Sequence, residues 1–345
     1  MKIFSGSSNK PLAAKIAKEL DLKLSDTEIF IFPDGERRVR ILENVVDEDV
    51  VVVETTSPLP DSHYMELFFL VDAVKRSGAG SITAVVPYLG YQRQDHVFRD
   101  GEAVSLEVVI KTLEAVGMDR LITLDLHSIK IPELFKIPID HLSALPIFAE
   151  KVKELLGKNA EVAHENFRVH SAGNFLSSSK KARGANAHNE NFVSSPHLTD
   201  TTILVSPDMG GIRRIKILSE LLDNMPYVSI IKDRDLESGN ISSNKFDTQD
   251  LGWQKNAKRA IIVDDMISTG RTIVAAVNLL IANGIKNNFV FATHPVFSGD
   301  ARSILQSSKA SKIFVTDSID ITREKRFEKL EVLSIAGEIA KVLSS

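Results

Sequence analysis

The chain has 345 residues, 43% apolar and 26% charged, with 18 Gly and 12 Pro, a composition that excludes a collagen-like or wholly disordered polymer and suits about two domains. Its 42 basic and 46 acidic side chains leave a net charge of −4, without the basic excess of an electrostatic nucleic-acid binder, so nucleic acid is not expected as a partner. Cys is absent, which excludes disulfides, thiolate metal sites and Cys nucleophiles and leaves any catalysis to oxygen and nitrogen groups.

The first twenty residues, MKIFSGSSNKPLAAKIAKEL, carry Lys throughout and offer no apolar segment ahead of a cleavage site. The most apolar later stretches, 67–71 and 273–282, fall short of the ~20 residues that span a bilayer. A soluble cytoplasmic protein with no membrane partner is expected. Residues 2–4 read as a strand, and Asn9 as an N-cap with Pro11 in the first turn ahead of Leu12, Ile16 and Leu20 on one helix face. A strand at 50–53, a helix over about 64–76, a strand at 82–86, a helix over about 105–116 and a strand at 121–124 follow. Continuous apolar strands separated by helices predict a mainly parallel sheet flanked by helices. A second series follows residue 200, with strands at 202–205, 228–231, 260–263, 289–292 and 313–315 and helices over about 210–222 and 270–283. Two α/β domains are expected, at 1–148 and 149–345. Between the series, 157–200 holds four of the nine His residues and the run SSSKKARGANAHNEN without an apolar period, which reads as a flexible insertion and a solvated loop rather than a metal site.

The strongest motif is VDDMISTGRT at 263–272. A buried strand ends in Asp264 and Asp265, and the turn of Ser268, Thr269 and Gly270 opens a helix at Arg271 and Thr272. Backbone N–H groups and hydroxyls then converge at the positive end of the helix dipole, forming a phosphate cradle. The two carboxylates suit sugar hydroxyls or Mg²⁺ with its waters, since alone they would repel phosphate. Together these groups describe a sugar-phosphate site, and no Gly-Lys-Ser/Thr follows to make it a P-loop. Arg93, Gln94 and Asp95 follow the strand at 82–86, which places a guanidinium fork at a carboxyl edge where α/β sheets bind ligands. His127, just after the strand at 121–124, is on chemistry alone as readily structural as a ligand, because Mg²⁺ prefers oxygen. Asp208, ahead of Gly210 and Gly211, is either a hard metal ligand or a turn and N-cap. Lys232 and Arg234, two apart after the strand at 228–231, lie on one side of an extended segment, as a closing lid or an ordinary solvated loop would have them.

In order along almost the whole chain stand FSGSSN, FPDGE at 32–36, PYLGYQRQD at 87–95, DLH at 125–127, SPDMGG at 206–211, KDR at 232–234, the 263–272 loop and ATHPVFSG at 292–299. This set resembles the ribose-phosphate diphosphokinase (PRPP synthetase) family, of phosphoribosyltransferase-like, Rossmann-like fold. The resemblance implies ATP and D-ribose 5-phosphate as substrates, Mg²⁺ as cofactor, and a homo-oligomer in which dimers assemble further, up to a hexamer. It implies ATP binding by Phe32, Asp34, Gly35, Glu36, Arg93 and Gln94, and metal binding by His127 and Asp208. It implies catalytic roles for Lys232 and Arg234, and ribose 5-phosphate binding by Arg234, Asp264, Asp265, Ser268, Thr269, Gly270, Arg271 and Thr272. Some positions depart from the family pattern: Ser268 replaces an acid, Arg271 a small residue, and Asp233 interrupts a usual run of cations. These changes bear on the family's regulation by phosphate and ADP. An inactive regulatory homologue and a salvage phosphoribosyltransferase are the alternative readings; the second predicts a base-binding hood in place of the segments at 32–36 and 93–95.

Overall fold

The computed structural model describes residues 1–157, 201–234, 241–246 and 257–345, with the side chains of 232–234 and 241–245 outside the description. The insertion expected at 157–200 lies outside the described residues apart from Gly157.

Strand β1 (Lys2–Ser5) leads into α1 (Lys10–Glu19), where Asn9 Oδ1 accepts from Leu12 N at 3.3 Å and Pro11 sits in the first turn. A hairpin of β2 (Thr27–Ile31) and β3 (Arg37–Ile41) follows. Then come β4 (Asp49–Val53), α2 (Pro60–Arg76), β5 (Ser81–Val85), α3 (Ser105–Ala115), β6 (Arg120–Leu124) and β7 (Ile139–Leu142). Helix α2 starts four residues before the expected 64 because Pro60 fits the first turn, where its missing N–H costs nothing. Among the described residues the strands of this half, the hairpin apart, form a parallel sheet in the order β1-β4-β5-β6-β7.

Helix α4 (Leu145–Leu155) leads to the second half: β8 (Thr202–Ser206), α5 (Ile212–Leu221), β9 (Tyr227–Arg234), β10 (Ile241–Phe246), β11 (Arg259–Met266), α6 (Arg271–Ala282), β12 (Asn287–His294), α7 (Ala301–Ser307), β13 (Lys312–Thr316), β14 (Leu330–Leu333) and α8 (Ala336–Leu343). Their sheet runs β10-β9-β8-β11-β12-β13-β14, parallel except for the antiparallel edge strand β10. The expected strands at 228–231 and 260–263 both run longer. Backbone pairing with β10 carries β9 through Lys232 and Arg234, which are register partners of Asn244 and Ile241. Pairing with β12 carries β11 to Met266, so Asp264 and Asp265 belong to the strand itself.

The halves exchange helices. Ile335, Ala336, Ile339 and Val342 of the α8 region pack on α1 and the first sheet. Leu145, Phe148, Ala149 and Val152 of α4 pack with α5 on the second sheet. The border expected between 148 and 149 therefore falls inside α4. Each fully buried aliphatic side chain in these layers contributes about 2 kcal/mol, which ties each half to the other's chain end. Polar bonds cross the same junction: Asn9 Nδ2 donates to Asp317 O at 2.8 Å and Thr55 Oγ1 to Ser318 O at 2.8 Å. No helix among the described residues is long and apolar enough to cross a membrane.

Candidate functional site

The carboxyl ends of both parallel sheets face one another across a cavity of about 910 Å³, lined among others by Arg93, His127, His141, Gly210 and Arg214. On its wall His127, three residues past β6, reaches Asp265, at the end of β11. Nδ1 and Oδ2 stand 2.7 Å apart across 138 residues of chain. Asp265 is 7% exposed, and Arg214 Nη2 on α5 lies 3.9 Å from the same oxygen. The hydrogen bond to Asp265, ahead of the opposing effect of burial, raises the His127 pKa above its ordinary value. Burial works against ionisation of Asp265, yet the bond from His127 and the charge of Arg214 together hold it well below the carboxylate range. Burial and then repulsion by Asp265 push Asp264 well above its usual value, so the two neighbouring acids are driven in opposite directions. Arg214 is half-buried near Asp265, Asp125, Asp264 and Asp208, and their charge keeps it cationic against desolvation.

A second layer aims these groups. Asp125 is buried with φ of 33°, a left-handed conformation strained for a non-glycine residue. Its carboxylate accepts from Ser143 Oγ at 2.9 Å, Ala144 N at 3.0 Å and Thr293 Oγ1 of the other half at 2.6 Å. Gln92 Oε1 accepts from His127 N at 2.8 Å, and His141 Nε2 accepts from Leu126 N at 2.9 Å. His141 is therefore neutral with its proton on Nδ1, and burial pushes its pKa down to about 4.

The 263–272 loop lies beside a second cavity of about 750 Å³, lined in part by Tyr88, Gln94, Ser298 and Lys325, with Arg93 on the walls of both cavities. Ser298 N donates to Ser268 O at 3.0 Å, and the two hydroxyl oxygens are 3.3 Å apart. Gly270 has φ of 78°, and a Cβ there would stand 2.9 Å from Leu305 Cδ2, so the turn into α6 requires glycine. No side chain caps α6, whose first residues are the exposed Arg271 and the half-buried Thr272; Thr269 is also exposed. The first-turn N–H groups thus remain available to an anion.

Asp208, one of the acids around Arg214, is also the N-cap of the turn Met209–Gly211, with Oδ1 accepting from Gly211 N at 3.3 Å. Other expected residues stand apart. The segment at 32–36 is the tip of the β2–β3 hairpin: Phe32 N donates to Glu36 O at 2.8 Å, and Asp34 Oδ1 accepts from Glu36 N at 3.1 Å. Phe32 packs edge-on to Phe30 beside the Arg38 guanidinium, while Gly35 and Glu36 line a separate hollow with Asp61 and Met65. The structure therefore brings Arg93, His127 and Asp265 together with the second half, but does not bring the hairpin tip to them. Lys232 and Arg234 are placed by backbone only, in the β9–β10 ladder.

Sequence reasoning missed Arg214, Gln92, His141 and Thr293. Arg214 follows the Gly210-Gly211 pair by three residues, one helical turn into α5, a position from which a cation faces the strand ends. That spacing was available as a signal. His141 had none, because β7 was not expected.

Two open parallel sheets with ligand-type groups at facing carboxyl ends, and an acidic strand end leading into a hydroxyl-rich helix N-terminus, define a pair of phosphoribosyltransferase-like domains. The comparisons narrow this class. Residues 1–117 match the N-terminal domain of ribose phosphate pyrophosphokinase, and residues 250–344 the phosphoribosyl synthetase-associated domain. Ribose-phosphate pyrophosphokinase of Aquifex aeolicus is 36% identical over 99% of this chain and 94% of its own, and that of Bacillus caldolyticus 34% over 100% and 94%. The crystal structure of phosphoribosylpyrophosphate synthetase from Mycobacterium smegmatis superposes with a TM-score of 0.80 at 31% identity, covering 99% of this chain and 97% of that one. The chain belongs to the ribose-phosphate pyrophosphokinase family and is a transferase.

Proposed function

We propose that the protein transfers the β,γ-diphosphoryl group of ATP to the 1-hydroxyl of D-ribose 5-phosphate, giving 5-phospho-α-D-ribose 1-diphosphate and AMP. The observation that carries this reading is the bridge from His127 to the ionised Asp265, backed by Arg214, between a cavity that Arg93 shares and the hydroxyl-rich loop at 268–272. In the reaction the ribose hydroxyl oxygen bonds to the β-phosphorus, the bond from that phosphorus to the α,β-bridging oxygen breaks, AMP keeps that oxygen, and the hydroxyl proton goes to solvent. Little covalent work falls to the protein, so positioning and charge dominate. Asp264 and Asp265 hold ribose hydroxyls, and Ser268, Thr269, Gly270, Arg271 and Thr272 wrap the 5-phosphate. Arg93 and Gln94 bind ATP from the other sheet, and Lys232 and Arg234 steady charge on the moving diphosphoryl group.

Of the two donors, Asp208 offers the hard oxygen that suits Mg²⁺, and His127 the less favoured imidazole nitrogen. His127 spends Nδ1 on Asp265 and keeps 47% of its side chain exposed. Among the described residues, neither it nor Asp208 belongs to a group of three ligands within 4.8 Å of one another. One or two protein ligands with the rest from water and phosphate is the usual Mg²⁺ arrangement. Bound there, Mg²⁺ would neutralise phosphate charge. The hairpin tip with Phe32, Asp34, Gly35 and Glu36 serves ATP by way of a homo-oligomer, since it stands outside its own chain's cleft. The reading divides the chain into two domains near residue 148 and places the protein in the cytoplasm with its substrates.

The test is phosphorus NMR of the full chain with Mg²⁺, ATP and ribose 5-phosphate. Signals of AMP and the sugar diphosphate are expected, and a folded, pure protein that forms neither overturns the reading.

A further inference from the structure

Away from the cleft, Glu54 follows β4, and His63 and Glu66 lie three residues apart on α2, hence on one helix face. Both carboxylates are 0% exposed and His63 is 9% exposed. The chain closes tightly over them at Gly6, where a Cβ would stand 1.8 Å from Glu54 Oε2. Three of the four carboxylate oxygens have donors: Glu66 Oε1 accepts from Ser7 N at 2.5 Å, Glu66 Oε2 from Arg37 Nε at 3.1 Å, and Glu54 Oε2 from Ser8 N at 3.4 Å. The fourth, Glu54 Oε1, has no hydrogen-bond partner, and neither has His63 Nδ1, although they are 2.9 Å apart. Their contact lacks hydrogen-bond alignment. A carboxylate oxygen and a ring nitrogen buried at that separation are costly unless a proton or a cation joins them.

We propose that Glu54, His63 and Glu66 form a second metal site, for a divalent transition cation of the Zn²⁺ type, distinct from the cleft. Their ligand atoms all lie within 4.8 Å of one another, close enough to converge on one ion with ligand distances near 2 Å. An imidazole with two carboxylates suits Zn²⁺ better than Mg²⁺, which asks for oxygen and water. Charge points the same way. Arg37 answers Glu66, whereas Glu54 has no charged partner besides His63. A bound cation would fill the gap between Oε1 and Nδ1 and tie together the loop at 6–8, α2 and, through Arg37, the hairpin.

Metal-stripped full chain carrying His127→Ala, which removes a cleft ligand, is dialysed against Zn²⁺ and assayed by mass spectrometry. A single equivalent is expected to remain. Adding Glu54→Gln or His63→Asn should weaken retention at least ~100-fold, with circular dichroism confirming the fold. Zn²⁺ not retained, or retained equally by folded Glu54→Gln, overturns the site. Should neither variant fold, X-ray absorption on the zinc-loaded His127→Ala chain decides: one imidazole nitrogen with carboxylate oxygens supports the site, and a shell of oxygen alone or of several imidazoles overturns it.

Discussion

Two acid clusters sit at strand ends in this molecule and handle their charge differently. At the end of β11, Asp265 meets His127 in a hydrogen bond of 2.7 Å with Arg214 behind it. The result is a fixed anion and a raised imidazole at the edge of an open cavity. Beyond β4, Glu54 meets His63 at almost the same distance, 2.9 Å, but out of line, and the nearby cation Arg37 is bound to Glu66 instead. There the carboxyl is pushed up to about 7. The ingredients are alike; the alignment of one bond and the placement of one guanidinium separate a charged, substrate-facing site from a closed pocket that needs a cation.

If chemistry belongs to the cleft alone, its largest effect comes from the cation expected to touch the moving group. Lys232→Ala should lower kcat on the order of 10³-fold while ATP binding, followed by calorimetry, persists. Unchanged turnover would remove Lys232 from the reaction.

The next effect is a pH dependence. Unfolded His141 takes its proton near pH 6.5 and the folded residue near 4, so between these values the unfolded state binds more protons. Stability should therefore fall as pH drops from about 6.5 to 4, by up to ~3 kcal/mol. Urea unfolding across that range should show a shallower decline for His141→Asn, whose amide oxygen can still accept from Leu126 N. Equal slopes would mean that His141 is not held neutral.

Asp265→Asn tests the aligned bond. It removes the anion that holds the His127 proton and leaves Arg214 with less counter-charge, so kcat/KM should fall on the order of 100-fold. The His127 pKa, read by proton NMR, should drop towards its ordinary value. A His127 titration unmoved by the substitution would show that the bond is not what raises it.

Much of this was legible in the sequence, for identifiable reasons. Strands such as β4 and β8 are continuous apolar runs, because parallel sheets are buried on both faces, and Asn9 caps α1 by a local rule. VDDMISTGRT could be read because its groups are neighbours in the chain. What could not be read was long-range. The alternating polarity of β3, RRVRI, gives it partly exposed residues and hid the hairpin, and the union of α8 with α1 joins chain ends with no shared local signal. Arg214 looks like any surface cation of a helix until the sheet brings four carboxylates around it.

The smallest effect concerns the junction that holds the cleft together. Thr293 Oγ1 donates to Asp125 Oδ2 at 2.6 Å across the two halves, and the same oxygen also accepts from Ala144 N at 3.0 Å. Thr293→Val keeps the shape and removes the donor, and because Asp125 retains other partners the loss should be only about 1 kcal/mol. Its catalytic consequence is indirect: Asp125 holds a strained backbone two residues before His127, so loosening it should lower kcat/KM a few-fold and let the His127 pKa relax part of the way towards its ordinary value. A double-mutant cycle with Asp265→Asn separates the two roles. If Asp125 acts by aiming His127 at Asp265, the combined loss will be less than the sum of the single losses, because aim has no value once the target is gone. Additive losses would make the Thr293 bond a structural rivet between the halves and nothing more.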